Sequence, residues 1–349
     1  MPAHHSDNAP KQEATRQQSL PGRANHVLPD ASAVDARFAI QQSGAFRRTL
    51  ELCHMYAPTR RPIVFVGPIG VGKSTLAKLV HRLSGSTGRF VACSAGEIGD
   101  TLAQSILYGH MPGAFTGAKG RRTGIFEAAA GGTLLLDDIA NLSTQVQGSM
   151  LRVLQERVFT PIGATRDIAV TCRELYATTQ SIATLAEQGI LMSDFLSRMG
   201  EMVVQVLPLR ERPEDILPLA EYYLACVANE FEWKRVTLTP DVCQLFVRYP
   251  WPYNVRELKG VIERAVIHAH HEGSPDVTPY HLPARLLLEI DQKSPACRLN
   301  PELVVKTLIA TDGNLSQAAR SLGVHRNSLY RHVPAGFRRR TLSVDDPRL

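Results

Sequence analysis

The chain has 349 residues, of which 44% are hydrophobic and 21% charged, and its formal net charge is +6. This size and composition are typical of a globular protein with two or three domains. The sequence shows neither a signal peptide nor a run of the ~18 apolar residues that a membrane span requires, so no membrane association is expected. Its six cysteines are scattered without a CxxC pair, which favours reduced thiols over disulfides or a zinc site. We therefore expect a cytoplasmic protein.

Residues 1–36 contain no Phe, Tyr or Trp and are rich in Ala, Gln, Ser, Asn and Pro. Such a segment cannot bury enough apolar surface to offset the entropy lost on ordering. We predict a disordered tail at 1–36, which leaves no room for an N-terminal sensory domain.

Residues 37–209 alternate between short apolar runs and helical periodicity. Strands are predicted at 63–66, 133–136 and 202–206, and amphipathic helices at 73–83 and 144–157. Strands that alternate with helices predict an α/β fold around a mostly parallel sheet.

The strand signals stop beyond Pro213, and helical periodicity continues. Helices are predicted at 213–231, 239–249 and 254–271, and after a proline-rich stretch at 300–311, 315–322 and 326–333. We divide this part of the chain into an all-helical unit at 210–272, a linker at 273–298, a small all-α domain at 299–340 and a tail at 341–349.

The segment GPIGVGKS at residues 67–74 fits the pattern GxxxxGK[ST] of phosphate-binding loops. Its backbone N–H groups would surround phosphates, and the helix that follows would direct its N-terminus at them. Because a strand precedes the segment and a helix follows it, the context favours a nucleotide site over a plain glycine turn. The predicted nucleotide-binding residues are Gly67, Pro68, Ile69, Gly70, Val71, Gly72, Lys73, Ser74 and Thr75.

A second apolar strand ends in two carboxylates, Asp137 and Asp138. Asp137 with the Ser74 hydroxyl would hold Mg²⁺, and Asp138 would polarise the attacking water. An acidic strand end is often only a solvated loop, but a phosphate loop in the same chain favours the catalytic interpretation. ATP and Mg²⁺ are therefore the predicted cofactors.

The hexapeptide GAFTGA at residues 113–118 resembles the signature loop of the sigma-54 transcription activators, also called bacterial enhancer-binding proteins. The segments LPLRER at 207–212 and WPYNVREL at 251–258 are also similar to that family. The resemblance implies an AAA+ P-loop core with a helical lid, forming a ring that is usually hexameric. It implies that the loop contacts sigma-54 RNA polymerase and remodels the closed promoter complex. The contact residues it implies are Gly113, Ala114, Phe115, Thr116, Gly117 and Ala118.

The resemblance also assigns roles at other positions of the site. Arg256 corresponds to the sensor II arginine, Thr179 to the sensor I position, and Arg198 to one of two arginines that stabilise the transferring phosphate. The chain departs from the family by having Asp138 for the usual glutamate and Thr179 for the usual asparagine.

Three further departures concern residues around the active site. Ser94 stands where the family has an asparagine, Met192 where it has the first of the two arginines, and Met111 where it has an acidic residue. Together the departures predict nucleotide binding with slow hydrolysis.

The last 52 residues carry nine Lys/Arg against four Asp/Glu, which is typical of a nucleic-acid-binding appendage. Residues 314–331 have the pattern of two helices joined by a glycine turn, and they resemble the Fis-type helix-turn-helix of this family. The predicted DNA-binding residues are Arg326, Asn327, Ser328, Tyr330 and Arg331, since Arg and Asn suit bidentate contacts with base edges. The alternative is a dimerisation hairpin.

Four functions are compatible with a phosphate loop and a terminal helix-turn-helix. They are an enhancer-binding ATPase that activates sigma-54 polymerase, a weakly hydrolysing partner subunit of a mixed ring, a conventional DNA-binding regulator, and a P-loop enzyme for a small metabolite. The GAFTGA loop argues against the last two, because neither requires a contact with sigma-54. The altered residues Asp138, Thr179 and Met192 keep the partner subunit open.

Overall fold

The computed structural model describes residues 38, 41–233, 236–287, 301–311, 314–322 and 329. The predicted tails lie outside the described residues, and so do the predicted DNA-binding residues Arg326, Asn327, Ser328, Tyr330 and Arg331.

The strands in chain order are β1 (Ile63–Val66), β2 (Phe90–Ser94), β3 (Gly109–His110), β4 (Arg122–Thr123), β5 (Thr133–Asp137), β6 (Val158–Phe159), β7 (Ile168–Ala169), β8 (Arg173–Thr178), β9 (Val203–Gln205), β10 (Thr237–Leu238) and β11 (Asp276–Val277).

The α-helices are α1 (Gly44–Tyr56), α2 (Lys73–Leu83), α3 (Ala103–Tyr108), α4 (Ile125–Ala128), α5 (Thr144–Glu156), α6 (Ile182–Glu187), α7 (Ser193–Met199), α8 (Ile216–Glu230), α9 (Pro240–Arg248), α10 (Asn254–His271), α11 (Pro301–Ala310) and α12 (Leu315–Ser321). In the part of the chain that the structure describes, no helix has both the length and the apolar character needed to cross a bilayer.

A five-stranded parallel sheet in the order β2-β5-β8-β1-β9 forms the centre of the fold. One face packs on α3, α5, α6 and α7, and the other packs on α1 and α2. The central strands are buried on both faces, as expected for a parallel sheet covered by helices. The predicted α/β fold is therefore confirmed.

The local sequence signals of β1, α2 and α5 predicted their positions closely. Helix α5 begins after Ser143, whose hydroxyl accepts from the backbone N–H of Val146 at 3.2 Å, which is the usual geometry of an N-cap. The strand predicted at 202–206 is shorter and spans Val203–Gln205.

Strand β8 is buried throughout although it begins with two charged residues, Arg173 and Glu174. Glu174 accepts an ion pair from Arg157 at 2.6 Å. Arg173 donates to three backbone carbonyls at and after the end of α1, those of Tyr56, Ala57 and Arg61. Its burial lowers the pKa of this guanidinium to about 10. Both buried charges therefore have partners, Glu174 in the exposed Arg157 and Arg173 in backbone carbonyls, as buried polar groups require.

The lid packs α8, α9 and α10 around Trp251, which is buried. The prediction of an all-helical unit at 210–272 was wrong in one respect, because it contains β10, which forms a short parallel pair with β11. Two-residue strands are too short to give a periodic signal. Residues 273–287, which were predicted to belong to the linker, pack on this lid through Val277, Leu282 and Leu286.

Near the C-terminus, α11 and α12 pack together through a small apolar cluster that includes Leu329. Its buried members are Val304, Leu308, Leu315, Ala318, Ala319 and Leu329. The helix-turn-helix pattern predicts a packed face of Ala318, Ala319, Leu322, Val324 and Leu329. Ala318, Ala319 and Leu329 are buried in this cluster, Leu322 packs against it, and Val324 lies outside the described residues.

A buried ion pair joins the lid to the core. Arg212 lies 3.6 Å from Asp215 and also donates to Gln41 Oε1 at 2.6 Å and to the carbonyl of Val71 at 3.2 Å. Asp215 accepts from the backbone N–H and the hydroxyl of Ser43, each at 2.8 Å. The pair thus connects the residues that precede α1, the phosphate loop and the start of the lid.

We predict that Asp215→Ala lowers the free energy of unfolding by about 3–5 kcal/mol, because it leaves the buried Arg212 charge without its carboxylate. Urea denaturation followed by circular dichroism measures this change. Glu214→Ala is the matched control, since Glu214 is the exposed neighbour. Equal midpoints for the two variants would show that the Asp215 carboxylate does not contribute to stability.

Candidate nucleotide-binding site

A cleft of about 320 Å³ opens at the carboxyl edge of the parallel sheet. This is the edge at which ligands bind in open α/β sheets. The loop after β1 and the end of β5 form its floor, while α8, α10 and the residues around Phe46 form its walls. The cleft brings together residues 69–75, Asp137, Asp138 and Arg256 of the predicted site.

The phosphate loop lies in direct contact with the start of α10. Gly70 has φ +78°, and a Cβ at this position would lie 2.1 Å from the carbonyl oxygen of Tyr253. Only glycine allows both the left-handed backbone and this close approach. The glycine therefore lets the lid touch the loop as well as letting the loop turn.

Lys73 is nearly buried, and its ammonium donates to the carbonyls of Gly67 at 2.7 Å and Pro68 at 3.2 Å. Burial lowers the pKa of Lys73, the charges of Asp137 and Asp138 raise it in part, and Arg256 lowers it further. The ammonium lies at the mouth of the loop, where a lysine of this motif binds the terminal phosphates.

The Ser74 hydroxyl donates to Asp137 Oδ2 at 2.8 Å. A hydroxyl and a carboxylate oxygen side by side at a phosphate loop are the oxygen donors that Mg²⁺ prefers. The residues present therefore fit a magnesium ion held by Ser74 and Asp137.

Asp138 follows β5 and lines the cleft beside Asp137. Its backbone has φ +55°, and its N–H donates to Asp137 Oδ1 at 3.0 Å. Aspartate tolerates this left-handed conformation better than most residues that have a Cβ. A glutamate here would be longer but would also strain the backbone more.

The two sensor positions differ in their placement. Arg256 lines the cleft from α10. Thr179 is exposed and follows β8, the strand between β1 and β5, so it lies between the phosphate loop and Asp137 at the same edge without lining the cleft. Ser94 ends β2 in register with Asp137.

Arg198 lies outside the cleft of its own chain. It is exposed on α7, and Met192 directly precedes that helix. The Met192 side chain packs against the core, and its backbone N–H donates to Gln147 Oε1 at 2.8 Å.

The apolar end of the cleft is not predicted by any pattern in the sequence. Residues from before and within α1 lie across from residues of α8 and the start of α10, and the apolar and aromatic ones are Phe38, Phe46, Leu219, Tyr223 and Val255. The Phe38 and Phe46 rings stack with centroids 6.1 Å apart. No motif links these positions, because only the folded lid brings them together.

Asn254 joins the lid to the phosphate loop. Its Nδ2 donates to the carbonyl of Ile69 at 2.8 Å, and its Oδ1 accepts from the backbone N–H of Leu209 at 2.7 Å. The residue is buried and has φ +54°, a conformation that asparagine tolerates. Its identity is therefore set by both its side chain and its backbone.

The GAFTGA segment forms the connection between the antiparallel strands β3 and β4. Its ends are joined by a bond from the N–H of Gly113 to the carbonyl of Ala118 at 2.8 Å, and Phe115 and Thr116 are exposed. None of its six residues lines the nucleotide cleft. Gly117 has φ +102°, a left-handed conformation that favours glycine, and no atom lies within 4 Å of its Cβ direction.

The base of this loop is more firmly held than its tip. His110 is buried, and its Nδ1 lies 2.8 Å from the hydroxyl of Ser105 in α3. The Phe115 ring meets the His110 ring edge to face at 4.9 Å. The N–H of Met111 donates to the carbonyl of Ile162, which belongs to the β6–β7 connection. Two neighbouring elements therefore fix the base.

The chain matches three protein families in succession. The Sigma-54 interaction domain matches residues 39–205, the AAA+ ATPase lid domain matches 210–298, and the Fis family of bacterial regulatory proteins matches 301–332.

Similar curated proteins include regulators from several bacteria. The chain is 34% identical to the pathogenicity locus probable regulatory protein WtsA of Pantoea stewartii over 81% of its own length and 85% of that protein. It is 33% identical to the transcriptional regulatory protein ZraR of Salmonella typhimurium over 86% and 69% of the two chains. It is 32% identical to the nitrogen fixation protein AnfA of Azotobacter vinelandii over 83% of its length, but it spans only 56% of that protein.

Solved structures of NtrX from Brucella abortus share the fold. The complex with ADP superposes with a TM-score of 0.64 at 27% identity and covers 90% of this chain and 72% of that one. The complex with ATP gives 0.63 at 28% identity, with coverage of 87% and 69%.

We predict that Asn254→Gly raises the Kd of a fluorescent ATP analogue roughly tenfold or more, because each buried partner left without its bond costs about 1–3 kcal/mol. Glycine keeps the left-handed backbone, so the change removes only the side-chain bonds. Glu232→Gly is the matched control, since Glu232 is an exposed lid residue with φ +53°. Unchanged affinity in Asn254→Gly would mean that the lid contact does not support the loop.

Proposed function

We propose that this chain, which belongs to the sigma-54-dependent transcriptional activators, couples ATP hydrolysis to remodelling of sigma-54 RNA polymerase through the loop at 113–118. The observation that carries the proposal is the GAFTGA loop itself, exposed at its tip, firmly held at its base and outside the nucleotide cleft. Activation of transcription by a bacterial polymerase places the protein in the cytoplasm.

Different residues of the cleft have different roles in the proposed hydrolysis. Lys73 and Arg256 place positive charge beside the terminal phosphates, and Asp138 orients the attacking water and accepts its proton. Mg²⁺ held by Ser74 and Asp137 would neutralise negative charge on the phosphates. Because the lid contributes Arg256 and contacts the loop at Gly70, loss of the terminal phosphate would change the contacts between lid and core.

The proposed activator also forms a ring and binds DNA. Arg198 is exposed and outside the cleft of its own subunit, which supports its insertion into the cleft of a neighbour in a ring that we expect to be a hexamer. The chain carries a Fis-type helix-turn-helix that binds DNA. We propose that enhancer sequence is read by Arg326, Asn327, Ser328, Tyr330 and Arg331.

We predict that Thr116→Ala abolishes activation at a sigma-54 promoter while ATP and DNA binding stay unchanged, because the loop lies outside the nucleotide cleft. In vitro transcription with sigma-54 polymerase measures activation. Thr101→Ala, which changes an exposed threonine outside the loop, is the control and should remain active. Full activation by Thr116→Ala would remove the basis of the proposed function.

A second candidate is a partner subunit that binds ATP, hydrolyses it poorly and works within a mixed ring. The observation that favours it is Met192, whose side chain packs on the core and offers neither a charge nor a donor for a phosphate. A related subunit would then supply the second arginine. An arginine of this kind is worth on the order of 10³-fold in rate.

We predict slow ATP turnover by the purified chain and a rise toward 10²-fold in Asp138→Glu, since a water misplaced by ~1 Å can cost on the order of 10² in rate. Phosphate release at steady state measures turnover. Asp137→Glu is the control and should show no rise, because Asp137 is already within hydrogen-bond distance of Ser74.

Phosphate release, combined with an assay of promoter opening, separates the two candidates. Fast hydrolysis by the natural homo-oligomer, together with promoter opening by it alone, would exclude the mixed ring.

A further inference from the structure

A second cleft, of about 220 Å³, lies at the amino-terminal edge of the sheet, opposite the nucleotide site. Its floor is the backbone around Gly131 and Gly132, which the loop at residues 86–89 contacts closely. The residues with polar side chains that line it are Arg60, Ser84, Ser86, Thr133, Arg157, Thr171 and Arg173. The Thr171 hydroxyl accepts from the N–H of Gly131 at 3.0 Å, which leaves its own proton able to donate.

Two of the lining arginines are fixed by the fold. Arg157 pairs with Glu174, and Arg173 is held by three backbone carbonyls. Each guanidinium has five N–H donors, so these contacts do not use them all. The cleft therefore has positive groups in its wall that are held in place before any ligand arrives.

Three exposed arginines extend the positive charge beyond the cleft. Arg60 lines it directly, the carbonyl of Arg61 accepts from Arg173, and the carbonyl of Arg89 accepts from Thr133 at the start of β5. Among the residues that the structure describes, Arg60, Arg61 and Arg89 have no ion-pair partner.

Within the described part of the chain, few acidic groups lie near these arginines at the same edge. Glu174 is buried and already paired with Arg157, and Glu201 is exposed just before β9. An exposed carboxylate in water screens neighbouring arginines only weakly. The edge therefore keeps a positive surface with rigid donors at its centre.

We propose that this edge, formed by Arg60, Arg61, Arg89 and the cleft between them, binds the phosphate backbone of double-stranded DNA as a second contact beside the helix-turn-helix. Guanidinium groups bind phosphate oxygens with two parallel N–H bonds, and such contacts carry no sequence information. The proposal rests on the proposed function only in that the chain binds DNA.

DNA suits this surface better than a small free anion. A single phosphate would contact only the cleft, whereas the exposed arginines place further positive charge on both sides of it. Thirteen residues separate Leu287 from Pro301, so a fully extended chain between them spans at most roughly 45 Å. DNA held by the helix-turn-helix is thereby kept close to the core, which raises its effective concentration there.

The test is the salt dependence of DNA binding by the full chain. Fluorescence anisotropy with a labelled duplex of unrelated sequence gives log Kobs against log salt for the wild type and for R60A/R61A/R89A. The slope is negative, and each lost phosphate contact reduces its magnitude by about 0.9. The slope of the triple variant should therefore be less steep than that of the wild type by roughly 2–3. R47A/R48A/R248A removes the same charge from other exposed arginines and should keep the wild-type slope.

The other outcomes overturn the proposal. Equal slopes for wild type and R60A/R61A/R89A would refute this second DNA contact while leaving the proposed function intact. An equal decrease in slope for R47A/R48A/R248A would also refute it, because the effect would then follow from net charge alone. Replacing chloride by inorganic phosphate at constant ionic strength tests a free-anion site. If phosphate bound this cleft while the wild type and R60A/R61A/R89A gave the same slope with DNA, the ligand of the cleft would be a small anion instead. A wild type that bound no DNA would refute the DNA contact of the proposed function as well.

Discussion

Asn254 bonds the carbonyl of Ile69 and the N–H of Leu209, and through these two bonds the first turn of α10 is fastened to the phosphate loop. The bonds can form only because Gly70 leaves room for the carbonyl of Tyr253. Two residues later Arg256 enters the cleft from the same helix. The position of Arg256, the predicted sensor II arginine, is thus fixed by the fit of the lid against a loop that carries no side chain at Gly70.

The buried pair of Arg212 and Asp215 makes a second connection between the start of the lid and the phosphate loop, and it adds the residues that precede α1. Arg212 reaches the carbonyl of Val71, and Asp215 binds the residues that begin α1. A buried pair of this kind gives little net stability but strongly penalises arrangements that separate its members. A nucleotide in the cleft would therefore lie between two attachments of lid to core, and a change in its phosphates would act on both.

Local signals made the phosphate loop, the end of β5, β1, α2 and α10 predictable from the sequence. The rest depends on contacts between distant segments. The charged start of β8 concealed a buried strand, because the partners of Arg173 and Glu174 lie elsewhere in the chain. The apolar end of the cleft combines residues near α1 with residues of α8, and no spacing in the sequence relates them. The left-handed backbone at Asp138 also has no local signature.

If the loop at 113–118 transmits force to a partner, its base must be held by the core, and α3 and the β6–β7 connection hold it while Phe115 and Thr116 stay exposed. Ser94, which ends β2, lies in register with Asp137, and the chain continues from there into α3. Helix α3 holds His110 through Ser105, and His110 contacts the ring of Phe115. Chains of packed side chains and hydrogen bonds of this kind can carry coupling between distant sites. A displacement of β2 at the cleft would move the base of the loop with α3, while the glycines let Phe115 and Thr116 adapt to the surface they meet.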